Sequence, residues 1–347
     1  MPELKDGTQG FLTRRGFVAV AASSALGALL ANCSSPEGDA LGFTPDAKRT
    51  TPFITPNGDF YLVAVDPSFR PAVTRQDVAS KWALELVGLN KQGTRIGYDD
   101  LDARAKATTT YTFECIGNPV GGQLIGNAEW RVLPLREILE RAPGGAGGVR
   151  AVMFRGLDDF YSSVSAERAM DEQAFLALGM NGVPLPAGHG FPARVILPNL
   201  YGMKQPRWLK SIELLADADT TSYWEERGWA GEVPVKTMSR LDPRGEVPGG
   251  EPVELTGIAF AGARGIRAVE VSLDDGGSWV PCELVTPTRP GVWSLWKYAW
   301  QQPTPGGHQI RVRATDGSGQ VQTAEEQGTS PDGASGYDEM MLRLGSG

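Results

Sequence analysis

Cys115 is the residue that type and surroundings best equip for chemistry. It is one of three cysteines, with Cys33 and Cys282, in a chain of 347 residues. Gly117, Asn118 and Pro119 follow it at once, and Gly121, Gly122 and Gly126 come soon after. A thiol in that setting has three uses. It can be a thiolate ligand for a soft or high-valent metal, a nucleophile, or a small buried hydrophobe. The remaining inventory removes several other chemistries. His189 and His308 are the only histidines and no CxxC pair occurs, which argues against a Cys/His zinc site. There is no Walker loop, no GxGxxG after a strand and no CxxCH haem attachment. Three widely spaced cysteines give no disulfide framework, and Gly144–Gly148 (GGAGG) reads as a flexible connection.

The elements that must position Cys115 follow from patterning. Thr108, Thr109, Thr110, Tyr111, Thr112 and Phe113 are β-branched or aromatic and predict a strand that runs directly into the cysteine. The glycines and Pro119 then break regular structure. A folded unit starts near Thr51, where Pro56-Asn57-Gly58-Asp59 makes a turn ahead of Phe60 and Tyr61. Alternation of Trp82, Leu84 and Leu86 with Ala83, Glu85 and Val87 predicts a half-buried strand. Asp99-Asp100 reads as the cap of a short helix, and Leu135, Ile138 and Leu139 mark another. Further strands are expected at Ala151–Phe154, Ala193–Leu197 and Ile212–Leu215. Strands mixed irregularly with short helices indicate an α+β domain over residues 51–230.

From Gly231 to Pro252 the composition turns to Pro, Gly and charge, which predicts a linker. Beyond it Val269, Val271 and Leu273 alternate with Glu270 and Ser272, and Ile310, Val312 and Ala314 with Arg311 and Arg313. Turns of Asp-Gly type follow at Asp275-Gly276 and Asp316-Gly317. An all-β immunoglobulin-like sandwich is therefore expected over residues 253–347. Cys282, in phase with Val280 and Leu284, is assigned to its core.

Two stretches resemble a known family. FECIGNPVGGQLIGNAEW (Phe113–Trp130) is similar to the cofactor loop of the sulfite oxidase family of molybdenum enzymes. NGVPLPAGHGFPARVILPNLYGMKQPRWL (Asn181–Leu209) resembles that family's second signature. The likeness extends from about Thr51 to Ala314, and GIRAVEVSLDDGGSW resembles the family's C-terminal domain, which commonly mediates dimers. The resemblance implies a molybdopterin-binding domain with one molybdenum-molybdopterin, and Cys115 as the protein's sulfur ligand to the metal. A thiolate is a soft, strongly donating ligand, and a metal holds it deprotonated. It further implies that His189, Arg194, Gln205, Pro206 and Arg207 hold the pyranopterin and its phosphate, arginine being suited to bidentate phosphate recognition. By the same likeness Asn57, Phe60, Tyr61 and Asp158 line the cofactor.

The departures bear on substrate. Sulfite-oxidising members carry arginines where this chain has Val63 and Pro119-Val120, and a tyrosine near the metal where it has Trp229. A dianion would lose its charge partners there, and burying one unpaired is costly. The expectation is oxygen-atom transfer on a small molecule other than sulfite, such as a neutral S- or N-oxide. The alternatives are a sulfite dehydrogenase and a cofactor-free envelope binding protein on the same fold. Without a haem motif, electrons must pass to or from a separate partner, a cytochrome or a quinone-linked protein.

The first 32 residues form a charged head, Thr13-Arg14-Arg15-Gly16-Phe17, and an apolar run over Val18–Ala31. That run is short of the ~20 residues that cross a bilayer, so it predicts an export signal with a twin-arginine head; a retained N-terminal anchor is the other reading. Leu30-Ala31-Asn32-Cys33 resembles a lipoprotein cleavage box, although Asn32 replaces the usual small residue; acylation of Cys33 would add a weak membrane anchor. Residues 33–50 then form a polar linker. The expected location is the periplasm or the outer face of the cell membrane. Net charge is −8 for the whole chain and −9 without the leader, which speaks against nucleic-acid binding.

Overall fold

The computed structural model describes residues 50–244, 247, 251–286 and 289–345. The export signal expected over 1–32, the acylation expected at Cys33 and nearly all of the linker at 33–50 lie outside the described residues.

The first domain contains β1 (Ala83–Val87), β2 (Gly93–Gly97), β3 (Ala107–Glu114), β4 (Ile125–Pro134), β5 (Ala151–Gly156), β6 (Tyr161–Ser165), β7 (Phe175–Met180), β8 (Val183–Pro184), β9 (Arg194–Ile196) and β10 (Leu209–Leu215). One sheet has the order β2-β1-β10-β5-β6, in which β1 and β10 run parallel and the other pairs antiparallel. The second has the order β3-β4-β7-β8, with β9 also on β7. Helices at Val78–Lys81, Tyr98–Arg104, Leu135–Leu139 and Ala166–Ala169 are short connections. This is the α+β mixture that the irregular patterning predicts. Asp99 and Asp100 stand in the first turn of the Tyr98–Arg104 helix, whose cap is Gly97. From there their charges still favour the positive end of the helix dipole.

β3 enters the core as it proceeds. Ala107 and Thr108 are exposed, whereas Tyr111 to Glu114 are all buried. Its β-branched and aromatic residues suit a strand covered on both faces at that end. Register with β4 sets Phe113 opposite Gly126 and Glu114 opposite Ile125. A Cβ added at Gly126 would come within 2.8 Å of the Phe60 ring. Glycine there lets the Pro56–Tyr61 turn lie directly on the strand.

The second domain comprises β11 (Met238–Leu241), β12 (Val253–Phe260), β13 (Ile266–Ser272), β14 (Val280–Pro281), β15 (Glu283–Leu284), β16 (Ser294–Trp300), β17 (Gly306–Asp316) and β18 (Asp338–Leu344). Two antiparallel sheets, β11-β12-β16-β15 and β14-β13-β17-β18, enclose an apolar core that includes Leu255, Val269, Trp296, Ile310 and Val312. This is the expected β-sandwich. The stretch 231–252, expected as a linker, contains β11, which pairs with β12 from Met238↔Phe260 to Leu241↔Gly257. Its proline- and glycine-rich flanks conceal a four-residue strand too short to show periodicity. Cys282 is half-buried between β14 and β15, packs against the sandwich core, and burial pushes its thiol up to about 12.

The domains share an apolar seam. Ile116, Ile125, Tyr201, Met203 and Trp229 from the first meet Ile258, Phe260 and Trp293 from the second. Trp293 also donates its backbone N–H to Thr112 Oγ1 (2.9 Å) and its indole N–H to the Phe53 carbonyl (3.0 Å). Arg240 on β11 reaches the Gly122 carbonyl (3.1 Å) and Thr51 Oγ1 (2.9 Å). The strand that precedes Cys115 is thus braced from across the seam.

Candidate active site

The connection from β3 to β4 is a compact loop closed by one side chain. Cys115 donates its N–H to Leu124 O and accepts from Asn118 N, both at 2.9 Å. Asn118 accepts from Leu124 N (2.9 Å) and donates to Glu114 Oε1 (3.0 Å). Asn118 therefore ties the start of the loop to its end, a local use to which asparagine is well suited. Burial raises the Glu114 carboxyl to about 7, with Asn118 and Arg240 opposing that shift.

Cys115 lines a cleft that opens to solvent. Seven other residues expected at the site line it too: Phe60, Tyr61, Asp158, Arg194, Gln205, Pro206 and Arg207. Asn57 and His189 stand behind that wall. His189 Nε2 meets the Asn57 carbonyl at 2.8 Å, which places the ring proton on Nε2, and Asn57 Oδ1 accepts from Asn181 at 2.7 Å. The imidazole packs edge-on to Phe60, 5.6 Å between centroids. Burial lowers His189 to about 4, so it stays neutral at physiological pH.

The two arginines dominate the electrostatics. Arg194 stacks over the Phe113 ring at 4.2 Å and donates to the His189 carbonyl at 3.2 Å. Arg207 stacks over Trp208 at 4.4 Å and donates to the carbonyls of Gly188 (2.8 Å) and Val63. Desolvation, then the charge of Arg207, brings Arg194 down to about 9; Arg207 is lowered too, chiefly by burial. Arg194 Nε is buried without a hydrogen-bond partner among the described residues. Two desolvated cations with an open donor make a site that an anion would relieve. Asp158 offsets Arg207 in part, but burial raises its own carboxyl. Tyr61 is held protonated well above its usual value by burial first and Cys115 second. A Cβ on Gly202 would lie 2.9 Å from its hydroxyl, so glycine gives the phenol its place.

Gln205 lines the cleft, yet its amide is committed to the scaffold: it accepts from Leu197 N (3.0 Å) and donates to Leu200 O (2.7 Å). Val63 and Trp229 line the cleft as their assigned positions require. Val120 does not. It is 38 % exposed and lies beside Gly336, because the Asn118 turn carries residues 119–122 outward toward the second domain. Sequence patterning also passed over Ile116, Phe160, Met203 and Trp224, which complete an apolar wall. They come from four separate loops or turns, and no periodicity links them.

A family model described as an oxidoreductase molybdopterin binding domain matches residues 71–224, and one described as a Mo-co oxidoreductase dimerisation domain matches residues 235–329. Mitochondrial sulfite oxidase of Macaca fascicularis is 29 % identical over 332 residues, 80 % of this chain and 59 % of that protein. Nitrate reductase of Hordeum vulgare is 27 % identical over 68 % of this chain and 34 % of its own length. The chain thus spans about three-fifths of the mitochondrial relatives. Among solved structures, the sulfane dehydrogenase SoxCD of Paracoccus pantotrophus superposes with a TM-score of 0.74 at 22 % identity, covering 87 % of this chain and 84 % of that one. That likeness is one of fold.

Proposed function

We propose, since the chain belongs to the sulfite oxidase family, that it is a molybdenum-dependent oxidoreductase acting on neutral S- or N-oxides or the corresponding sulfides and amines. The residues present fit molybdopterin. The open Nε of Arg194, the mutual repulsion of Arg194 and Arg207, and the Cys115 thiol on the same cleft match an anionic tail at one end and a thiophilic metal at the other. Arg194 and Arg207 would hold the phosphate, Tyr61 and Asp158 would face the pterin, and Cys115 would ligate the metal. When bound, that group supplies two-electron oxygen-atom exchange with a substrate lone pair. In the reducing direction two electrons and two protons enter, the S–O or N–O bond breaks, and water leaves.

The protein's contribution is to bind, orient and exclude water. One observation carries the choice of a neutral substrate: the cleft that Cys115 lines is also lined by Val63, Ile116, Phe160, Met203, Trp224 and Trp229. A small oxyanion lodged there would lose hydration without gaining a cation, since the two lining arginines already donate to backbone carbonyls and would be taken up further by the cofactor's phosphate. A polar uncharged group loses far less, and an apolar wall with few polar groups suits an organic molecule. Electrons would be exchanged with a separate cytochrome or quinone-linked protein, the second domain would form a homodimer, and the protein would work outside the cytoplasmic membrane.

The test is turnover by purified, molybdenum-loaded enzyme, with an artificial electron donor for S- and N-oxide reduction and an artificial electron acceptor for sulfite oxidation. Sulfoxides and N-oxides should be reduced, while sulfite should be oxidised with a kcat/KM at least ~100-fold below the 10⁴–10⁸ M⁻¹s⁻¹ usual for enzymes on their own substrates. Efficient sulfite oxidation that saturates at micromolar concentration would defeat the reading.

A further inference from the structure

Behind the aromatic part of the cleft wall is a buried charge that the chemistry above does not use. Lys204 ends the 3₁₀ turn Gly202–Lys204, between Met203 and Gln205, and both of those neighbours line the cleft. Its own side chain is sealed off, with the residue only 1 % exposed. Lysine is rarely buried so completely unless each ammonium N–H finds a partner. Here they reach the Ser163 carbonyl (2.9 Å), Ser222 Oγ (2.9 Å) and the Glu225 carboxylate.

Those partners join β6 to the segment 222–229, which belongs to no sheet. Glu225 also accepts from Ser222 N at 2.8 Å, and Ser222 Oγ accepts from Ser163 N at 3.0 Å. Tyr223 N donates to Tyr161 O at 3.1 Å. Two residues of this segment, Trp224 and Trp229, face the cleft. Trp229 N donates to Trp224 O (3.1 Å), so the short turn Glu225–Arg227 folds one tryptophan back beside the other. Their rings stand 6.5 Å apart and nearly perpendicular. A segment with no ladder hydrogen bonds depends on such side-chain anchors for its shape, and a buried ion pair is best suited to fixing one arrangement.

We propose that Lys204 is a positioning residue: its buried pairing with Glu225 holds Trp224 and Trp229 as a fixed aromatic wall, which makes the cleft prefer substrates with an aromatic or branched apolar group beside the neutral S–O or N–O bond. The preference rests on the proposed function; the positioning does not. Two measurements on the full chain keep them apart. In hydrogen exchange, Lys204→Met should speed exchange across 222–230 about tenfold or more, the equivalent of one 1.4 kcal/mol step in local opening. Exchange in β3 and β4 should be unchanged, and Lys204→Arg should restore much of the protection. Unaltered protection at 222–230, or loosening everywhere at once, overturns the positioning role. Ser222→Ala, which removes one hydrogen bond from the same clamp, carries this test if Lys204→Met does not accumulate; its exchange should rise about threefold, and no rise would count against the role. The second measurement is the ratio of kcat/KM for methyl phenyl sulfoxide to that for dimethyl sulfoxide. It should fall about tenfold in Lys204→Met, mostly through KM for the larger substrate, and recover in Lys204→Arg. A constant ratio with a loosened segment overturns the selectivity. If the wild-type protein reduces no sulfoxide or N-oxide, the proposed function and the selectivity fall together, while the exchange data still decide the role of Lys204.

Discussion

At the scale of single residues the site is a set of groups held in costly states. Cys115→Ser keeps size while replacing a soft donor with a hard one. We expect folding within ~1 kcal/mol of wild type, loss of turnover by at least ~10³-fold, and an altered Mo(V) EPR signal; an unchanged signal would remove Cys115 from the metal. His189 offers a pH test. Its folded value of about 4 is below the ordinary 6.5, so between those values the unfolded chain binds the extra proton. Stability from this group is therefore complete above pH 6.5 and is lost as pH falls toward 4, by on the order of 2–3 kcal/mol. His189→Gln should flatten that portion of the curve in denaturant titrations of the cofactor-free protein. An identical slope in the variant would show that other groups govern it.

At the scale of elements, the close approach between the Pro56–Tyr61 turn and β4 is the decisive contact. With the Phe60 ring 2.8 Å from where a Cβ would stand, Gly126→Ala must push the ring or the strand. Such overpacking costs about 1–3 kcal/mol. Because Phe60 carries Tyr61 and supports His189, the same change should lower pterin content per chain, measured by fluorescence of the oxidised pterin. Full pterin content with reduced stability would show that the turn tolerates the shift.

At the scale of the whole molecule, the apolar seam makes the second domain part of the first domain's support. Trp293 is 1 % exposed and donates to Thr112 and Phe53, so Trp293→Ala should cost about 3–5 kcal/mol. Calorimetry should show the two domains unfolding in separate transitions, whereas one unshifted transition would deny the coupling. The proposed twin-arginine export signal makes its own prediction. Changing Arg14 and Arg15 together to lysine should leave precursor in the cytoplasm, and normal export of that variant would show that another route is used.

Much of this protein could be read from its chain because local rules decide it. The strand into Cys115 is written in Thr108–Phe113, the turn after it in Gly117-Asn118-Pro119, and the sandwich in the period-two runs around Val271 and Val312. Of the residues expected to hold the cofactor, Cys115, His189, Arg194, Gln205, Pro206 and Arg207 stand in two long stretches that resemble a family's signatures. Tertiary structure alone decided the rest. β11 was concealed because four residues carry no measurable period, and only pairing with β12 makes them a strand. Val120 left the cleft because Asn118 closes the loop behind it. Ile116, Phe160, Met203 and Trp224 joined Val63 and Trp229 in one wall, with Lys204 its anchor, through contacts between segments far apart in sequence. Such contacts leave no periodic trace in the chain, since each residue obeys only the local pattern of its own loop.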